Sequence, residues 1–238
     1  MYQHTHTTTK QVAAFLCNLW KLTPSSYVDL ISSQLEIRHY KRREQVYQYD
    51  EEPNHLNIVV EGQVMIHRDS TKQMRILALY CSGDLFGYRA HFTSGRYYSN
   101  ATCITSSVIA HLPFSLVDRL MRERVGVGAY FTRQLSHLLA ISDTRSEVLT
   151  QLPLRGRLIQ SLLYLDGKFG TDADGHSLGI QITRAELGEL SNMTTSNAIR
   201  TLSQLASEGL VKTEGKKIML VDKEALKNEI SSHADTPK

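Results

Sequence analysis

The residues of this chain whose types and spacing could do chemistry are hydrogen-bonding groups, not catalysts. Thr195, Ser196 and Asn197 fall in the first turn of one helix, and Arg200 follows one turn on. Short polar side chains plus a guanidinium fork can reach base edges and phosphates when a helix end enters a major groove. The helix N-terminus itself favours phosphate. A second stretch, Gly83 to Asn100 (GDLFGYRAHFTSGRYYSN), has the outline of a loop that holds a phosphate between a strand and a short helix. No Gly-rich nucleotide loop, metal-ligand spacing or nucleophile–base pair accompanies them, which argues against an enzyme. Cys17, Cys81 and Cys103 are isolated, with no C-x-x-C and no even framework. That pattern points to a reducing interior and away from disulfides, a zinc knuckle or an iron–sulfur cluster. His4 and His6 stand in a polar start, residues 1–10, that reads as frayed and not as a metal site. Asp172-Ala173-Asp174-Gly175 resembles a calcium loop but lacks the later ligands and the terminal Glu, so it reads as a turn.

The elements that must position these groups divide the chain. Its 238 residues, 41% hydrophobic, suffice for two modest domains, each with its own core. A formal charge of +3 is too small to announce a nucleic-acid partner by itself. No run approaches the roughly 18 apolar residues of a membrane span. Near the start, Val12, Phe15, Leu16 and Leu19 are spaced for one face of an amphipathic helix, interrupted by Asn18 and Lys21, which is unlike a signal peptide. A soluble, cytoplasmic protein with no membrane partner is expected.

From about Leu35 to Leu112 short β-rich runs alternate with turn signals. Val46–Tyr49, Leu56–Val60, Val64–His67, Ile76–Tyr80 and Ala101–Leu112 read as strands, with turns at Asp50–Asn54, Glu61-Gly62, Asp69–Lys72 and Ser82–Asp84. Such spacing without long helices indicates an antiparallel roll or barrel. Pro113 can open a helix at its first turn. Phe131, Leu135, Leu138, Ser142, Arg145, Leu149 and Leu152 then fall at alternating spacings of four and three, the seam of a coiled coil. A long helix leaving a small β-domain has little core of its own to cover, so a parallel homodimer is expected along this seam. Pro153 marks a hinge before a short helix, Leu154 to Tyr164.

Thr183-Arg184-Ala185-Glu186 is a capping box opening a helix with Leu187 and Leu190 inward. Ser191-Asn192-Met193 makes a short turn, and Thr194 caps a second helix with Ala198, Leu202 and Leu205 inward. Gly209 stops it, a hairpin turns at Glu214-Gly215-Lys216, and Asp222 caps a last helix. Two helices on a tight turn followed by a hairpin form a winged helix-turn-helix. Its DNA-facing set is Thr183, Thr194, Thr195, Ser196, Asn197 and Arg200, with Lys216 and Lys217 touching the backbone from the wing. Ile199 either meets a thymine methyl or packs inside. Residues 183–238 carry eight basic and eight acidic side chains, so bulk charge adds nothing. Because such folds also serve protein contacts, a ligand-binding module whose helix-turn-helix touches protein is the alternative.

A β-roll, a long dimer helix and a C-terminal winged helix-turn-helix, in that order, resemble the CRP/FNR regulators from about Leu22 to Leu226. Val60-Glu61-Gly62-Gln63-Val64 is similar to the family's strand-turn after the first hairpin. Gly83-Asp84-Leu85-Phe86-Gly87 is similar to the opening of its phosphate-binding cassette, and Ile182 to Lys217 follows its helix-turn-helix. The resemblance implies an effector pocket made by Gly87, Tyr88, Arg89, His91, Arg96, Tyr98, Ser99, Ser142 and Asp143. Cyclic-AMP-binding members carry a Glu where Tyr88 stands, an Arg-Ser pair where Tyr98-Ser99 stands, and Thr-Ser where Ser142-Asp143 stands. The missing Arg removes the charge-assisted fork on the phosphate, so cyclic AMP is not the expected ligand. Arg89 and Arg96 leave another anion open. Haem, with His91 as iron ligand, is a candidate cofactor that some relatives use. Otherwise the cassette is self-filled or shaped for a flatter, less charged effector. The family's Arg-Glu pair in the recognition helix is Thr195-Ser196 here, so its usual operator does not carry over.

The expected fold class is α+β: a β-roll effector domain over 1–115, a dimerisation helix over 116–152 and a winged helix-turn-helix over 153–238. The dimer interface is expected at Phe131, Leu135, Leu138, Ser142, Arg145 and Leu149. The expected function is a homodimeric, sequence-specific regulator on a palindromic operator. The resemblance implies RNA polymerase as a further partner.

Overall fold

The computed structural model describes residues 7–23, 26–69, 74–93 and 95–234. His4, His6 and the turn residues Ser70 to Lys72 lie outside them. The chain packs as two compact units, residues 1–137 and 138–238.

The first unit opens with helix α1 (Thr9–Trp20). The Thr8 hydroxyl accepts from the Gln11 amide at 3.3 Å and the Thr8 amide donates to the Gln11 side chain at 2.7 Å. This capping box orders the chain from Thr8, inside the stretch expected to fray. Val12 and Leu16 are buried as their spacing implies, but Phe15 is 40% exposed. Ala13, Cys17 and Trp20 complete the inward stripe instead.

After α2 (Ser26–Ser32) come β1 (Glu36–Tyr40), β2 (Gln45–Tyr47), β3 (His55–Glu61), β4 (Gln63–Asp69), β5 (Met74–Cys81) and β6 (Leu85–Phe86). The short helix α3 (Tyr88–His91) separates them from β7 (Asn100–Cys103) and β8 (Ser107–Pro113). Two antiparallel four-stranded sheets result, in the orders β1-β8-β3-β6 and β2-β7-β4-β5. The run Ala101–Leu112, expected as one strand, is two strands in different sheets, because the chain changes sheet between Cys103 and Ser107. Gly62, at φ +92°, packs against that crossing: a Cβ there would lie 2.3 Å from Ser107 Oγ and 2.7 Å from the Ser106 carbonyl. Only glycine accepts both the left-handed backbone and the approach. Val59, Val64, Ile66, Phe86, Ala101 and Ile109 fill the space between the sheets. Each of the Val, Ile and Phe side chains among them contributes about 2 kcal/mol on burial.

Pro113 ends β8 in extended conformation and helix α4 (Phe114–Glu123) begins one residue later. The long helix α5 (Val125–Gln151) follows. The expected seam needs correcting at its start. Phe131 is 1% exposed, covered by its own chain: its ring lies 5.3 Å from Tyr88, 5.2 Å from Phe92 and 6.1 Å from Trp20. It therefore belongs to the core of the first unit. Leu135 and Ser142 are exposed, while Leu138, Arg145 and Leu149 are half-buried. Leu139, at 63% exposure, adds to the apolar stripe. Leu152 is buried against Gly156, where a Cβ would come 3.3 Å from its own, so it serves the fold of the second unit.

Pro153 caps α6 (Leu154–Phe169). Helices α7 (Arg184–Leu190) and α8 (Thr195–Ser207), the hairpin β9 (Val211–Glu214) and β10 (Lys217–Leu220), and α9 (Lys223–Ala234) complete the second unit. Gly209 at φ +76° ends α8, and Asp222 accepts from the Ala225 amide at 2.9 Å to start α9. The helix expected over Leu154 to Tyr164 runs on to Phe169, whereas the caps at Thr183, Thr194 and Asp222 and the stop at Gly209 each have a physical counterpart.

Candidate nucleic-acid interface and effector cassette

The helix-turn-helix is built from paired caps. Thr183 accepts from the Glu186 amide at 3.1 Å, and the Glu186 carboxylate accepts from the Thr183 amide at 2.7 Å. Thr194 accepts from the Asn197 amide at 3.2 Å. Between the two helices Asn192 takes a left-handed conformation, φ 50°, and Gly188 lets the Met193 carbonyl approach to 3.0 Å of its would-be Cβ. Arg157, which the sequence reading did not single out, donates to the Asn192 carbonyl at 3.2 Å and to the Leu152 carbonyl at 3.1 Å. One guanidinium thus joins the turn between α7 and α8 to the residue before Pro153.

With Ala198, Leu202 and Leu205 buried, the opposite side of α8 faces outward. Thr194, Thr195, Ser196 and Arg200 are exposed, and Asn197 is half-buried. Arg200 donates to the Asn197 carboxamide oxygen at 3.0 Å, which aims the guanidinium along the first turn of the helix. Ile199 is 48% exposed, so it does not pack inside. Thr183 is half-buried and its hydroxyl is engaged in the cap. On the wing, Lys216 is exposed.

Lys217 departs from the expectation. Its ammonium donates to Asp174 at 2.8 Å and lies 3.6 Å from Asp172. Asp174 also accepts from the Ser177 hydroxyl and from the His176 and Ser177 amides. Lys217 and these donors hold the Asp174 carboxyl far below the usual carboxylate range. The Asp172–Gly175 segment is a turn, as read, and its carboxylates neutralise the lysine assigned to phosphate.

In the cassette, Gly87 stands at φ +92°, and a Cβ there would lie 2.6 Å from the Asn57 amide nitrogen and 3.2 Å from the Tyr97 hydroxyl. Tyr88 follows, buried against Phe131 and Phe92. Tyr97 is 6% exposed and stacks face to face on Tyr47, centroids 3.6 Å apart at 4°. Tyr80 stacks on Phe86 at 5.5 Å. Ser99 is buried and hydrogen-bonds the Tyr47 hydroxyl. Burial pushes the Tyr88 and Tyr97 hydroxyls up to about 12, so both are neutral phenols. Arg89 lies over the Tyr98 ring, 5.2 Å from its centroid. The space these side chains leave is about 20 Å³, the scale of one water molecule.

Four residues expected in the pocket, His91, Arg96, Ser142 and Asp143, do not line this space. His91 hydrogen-bonds Asp118 at 2.9 Å and stacks on Phe114, 4.0 Å away at 1°. It joins α3 to α4 and does not line the cassette. Arg96 donates to the Asp50 carbonyl at 2.6 Å and pairs with Asp50 and Glu52, bracing the turn after β2. Ser142 and Asp143 are exposed on α5 in the second unit. Conversely Tyr47, Tyr80 and Asn57 belong to the cassette region and escaped the sequence reading. Their strands were read as β-roll framework, and nothing in the alternation marks which inward tyrosine meets the loop.

Asn57 continues inward. Its amide donates to the His55 and Phe86 carbonyls, so its oxygen faces His111 and accepts from Nδ1 at 2.8 Å. That leaves His111 Nε2 to accept from the Tyr40 hydroxyl at 3.0 Å. Burial, with smaller contributions from Arg38 and His55, lowers the His111 pKa to about 4.

Residues 37–124 match the model of the cyclic nucleotide-binding domain, and residues 156–229 match that of the Crp-like helix-turn-helix domain. Together they span more than half of the chain. The chain belongs to the CRP/FNR regulators. It is 24% identical to the CRP-like cAMP-activated global transcriptional regulator of Mycobacterium tuberculosis over 204 residues, 84% of this chain and 91% of that protein. To the cAMP-activated global transcriptional regulator CRP of Haemophilus influenzae it is 23% identical over 195 residues, 81% of this chain and 87% of that one. The fold matches FixK2 from Bradyrhizobium japonicum with a TM-score of 0.73 at 21% identity, covering 82% of this chain and 96% of that one. It also matches a CooA mutant from Carboxydothermus hydrogenoformans, TM-score 0.72 at 16% identity, covering 95% and 97%. As a CRP/FNR chain it is a transcription regulator with a helix-turn-helix DNA-binding domain, and not an enzyme. Among the described residues no helix is long and apolar enough to cross a membrane.

The ligand implied by the name of the first domain does not fit the residues present. A cyclic nucleotide needs a volume far above about 20 Å³ and a charged fork for its phosphate. Among the described residues lining the space, Arg89 alone is cationic, and it lies on Tyr98. Haem fits no better, since the His91 imidazole is held by Asp118 and Phe114.

Proposed function

We propose that this chain is a homodimeric, sequence-specific DNA-binding regulator that reads a palindromic operator with α8. The outward first turn of α8, with Arg200 oriented by Asn197, carries this reading. A guanidinium held at one end by a carboxamide is prepared for a bidentate contact with guanine, worth about 1–3 kcal/mol of discrimination. The exposed stripe of Leu135, Leu139 and Ser142, continued by half-buried Leu138 and Leu149, supports dimerisation through α5. Two-fold symmetry then places the recognition helices on half-sites about 34 Å apart, one turn of duplex. RNA polymerase is the partner of the bound dimer. An effector other than cyclic AMP in the β-roll, as the sequence leads one to expect, must displace the packed tyrosines to enter.

Fluorescence anisotropy on an operator selected from random DNA tests the reading. Wild type binds it with an affinity that falls steeply with salt, as phosphate neutralisation requires. Arg200→Ala binds about 10- to 100-fold more weakly. Equal specific binding by both proteins removes the base-reading role. A monomer by sedimentation, at concentrations well above the DNA dissociation constant, removes the homodimer.

A further inference from the structure

We infer that the cassette is occupied by its own tyrosines as a built-in effector, so that the β-roll takes its DNA-binding conformation without a cyclic nucleotide. The second half of this statement rests on the DNA-binding reading above; the first half does not.

Three observations converge. The first is room: the space lined by Tyr88, Tyr97, Tyr98 and Ser99 is about 20 Å³, the scale of a water molecule and far below that of a nucleotide. The second is chemistry. Neutral phenols stand where a phosphate site needs fixed positive charge, and the two nearby guanidiniums are engaged, Arg89 on the Tyr98 ring and Arg96 with Asp50 and Glu52. The third is continuity of packing. Tyr97 is clamped on Tyr47 and its hydroxyl meets the Gly87 turn. One residue on, Tyr88 rests on Phe131, which Trp20 and Tyr130 cover from other sides. An unbroken aromatic path therefore runs from the cassette turn to the first part of α5. The conformation of that path is set by side chains that are always present, and a cyclic nucleotide, for which the space has neither the room nor the charge, has no binding free energy with which to shift it.

The test uses the full-length chain and two readouts. In thermal unfolding, millimolar cyclic AMP or cyclic GMP leaves the midpoint of wild type unchanged. In anisotropy, neither compound changes the affinity for operator DNA. A rise of several degrees in the midpoint, or a tenfold gain in DNA affinity with either nucleotide, overturns the inference. If wild type binds no DNA under any condition, the proposed function fails while the thermal readout still decides the cassette. Tyr97→Ala gives the positive arm. Its midpoint falls, and 4-methylphenol, the side chain of tyrosine as a free molecule, restores part of the loss in the variant but not in wild type. A folded variant indifferent to 4-methylphenol counts against an occupied cassette. Should Tyr97→Ala not fold, Tyr98→Ala at the mouth takes its place, with the same outcomes deciding.

Discussion

Two turn-to-helix junctions in this molecule present tyrosines, serines, threonines and arginines, and they use them in opposite ways. At Gly87 the chain enters a helix of four residues over a sheet lined with tyrosines, and Tyr88 and Ala90, followed by Tyr97 and Ser99, turn inward. At Thr194 it enters a helix of 13 residues whose apolar face is already satisfied by Ala198, Leu202 and Leu205, and the polar side chains stay outside. What lies beneath a junction, more than the residues on it, determines whether it can meet a ligand. An aromatic floor recruits the side chains above it. A complete aliphatic face leaves them free for solvent or DNA.

The sharpest way to break this comparison is to delete one side chain from each junction. Tyr97→Ala removes a buried, stacked ring and is expected to cost about 3 kcal/mol of stability, from the cavity and the lost stacking. Arg200→Ala changes stability by no more than about 0.5 kcal/mol. Urea unfolding of both variants measures the pair. Comparable destabilisation by the two would mean that the outward side chains of α8 serve its own fold as fully as the cassette tyrosines serve theirs.

A second prediction sharpens the inward half. His111 is buried beneath the cassette with both ring nitrogens engaged, and its pKa is lowered to about 4. Its surroundings include the cationic Arg38, the neighbouring His55 and the carboxylate of Glu36. The unfolded chain takes up this proton near pH 6.5, whereas the folded chain refuses it until about pH 4. The stabilising contribution is therefore complete above pH 6.5 and lost as pH falls toward 4, by about 3 kcal/mol in all. Urea unfolding at pH 7, 5.5 and 4.5, with His111→Gln as the reference, isolates this residue from the carboxylates that titrate in the same range. Parallel pH profiles for wild type and variant would show that His111 can charge without cost.

How legible all this was in the sequence depends on whether a feature is local. The capping box at Thr183, the stop at Gly209 and the cap at Asp222 are hydrogen bonds between near neighbours, and each is found where it was read. The strands of the roll were legible from turn residues on either side. The break inside Ala101–Leu112 was not read, although the polar run Thr105-Ser106-Ser107 interrupts the apolar residues where the chain changes sheet. Phe131 fits the heptad spacing as well as Leu135 does. Only the tertiary structure shows Trp20 and Tyr88 closing over it. The cassette was legible as a loop, and its missing charges could be read off directly. That His91 and Arg96 have other partners depends on Asp118, Asp50 and Glu52, and for His91 and Asp118 the separation is 27 residues.

The finest distinction concerns neighbours on the wing. Lys216 and Lys217 look equivalent in sequence, yet one is exposed and the other is held by two carboxylates of the Asp172–Asp174 turn. A lysine already paired brings no net charge to a phosphate and releases no counterion on binding. Lys216→Ala should therefore reduce the slope of log affinity against log salt by about 1, and weaken binding to all sequences alike. Lys217→Ala should leave that slope unchanged and instead loosen the hairpin against the turn, seen as faster amide exchange at Ser177 and Met219, which the two segments bridge. If both variants lose the same slope, the Lys217 pair must open when DNA arrives. The 172–174 turn would then be a part of the interface that rearranges on binding, and α8 would no longer be the one element of this unit prepared in advance.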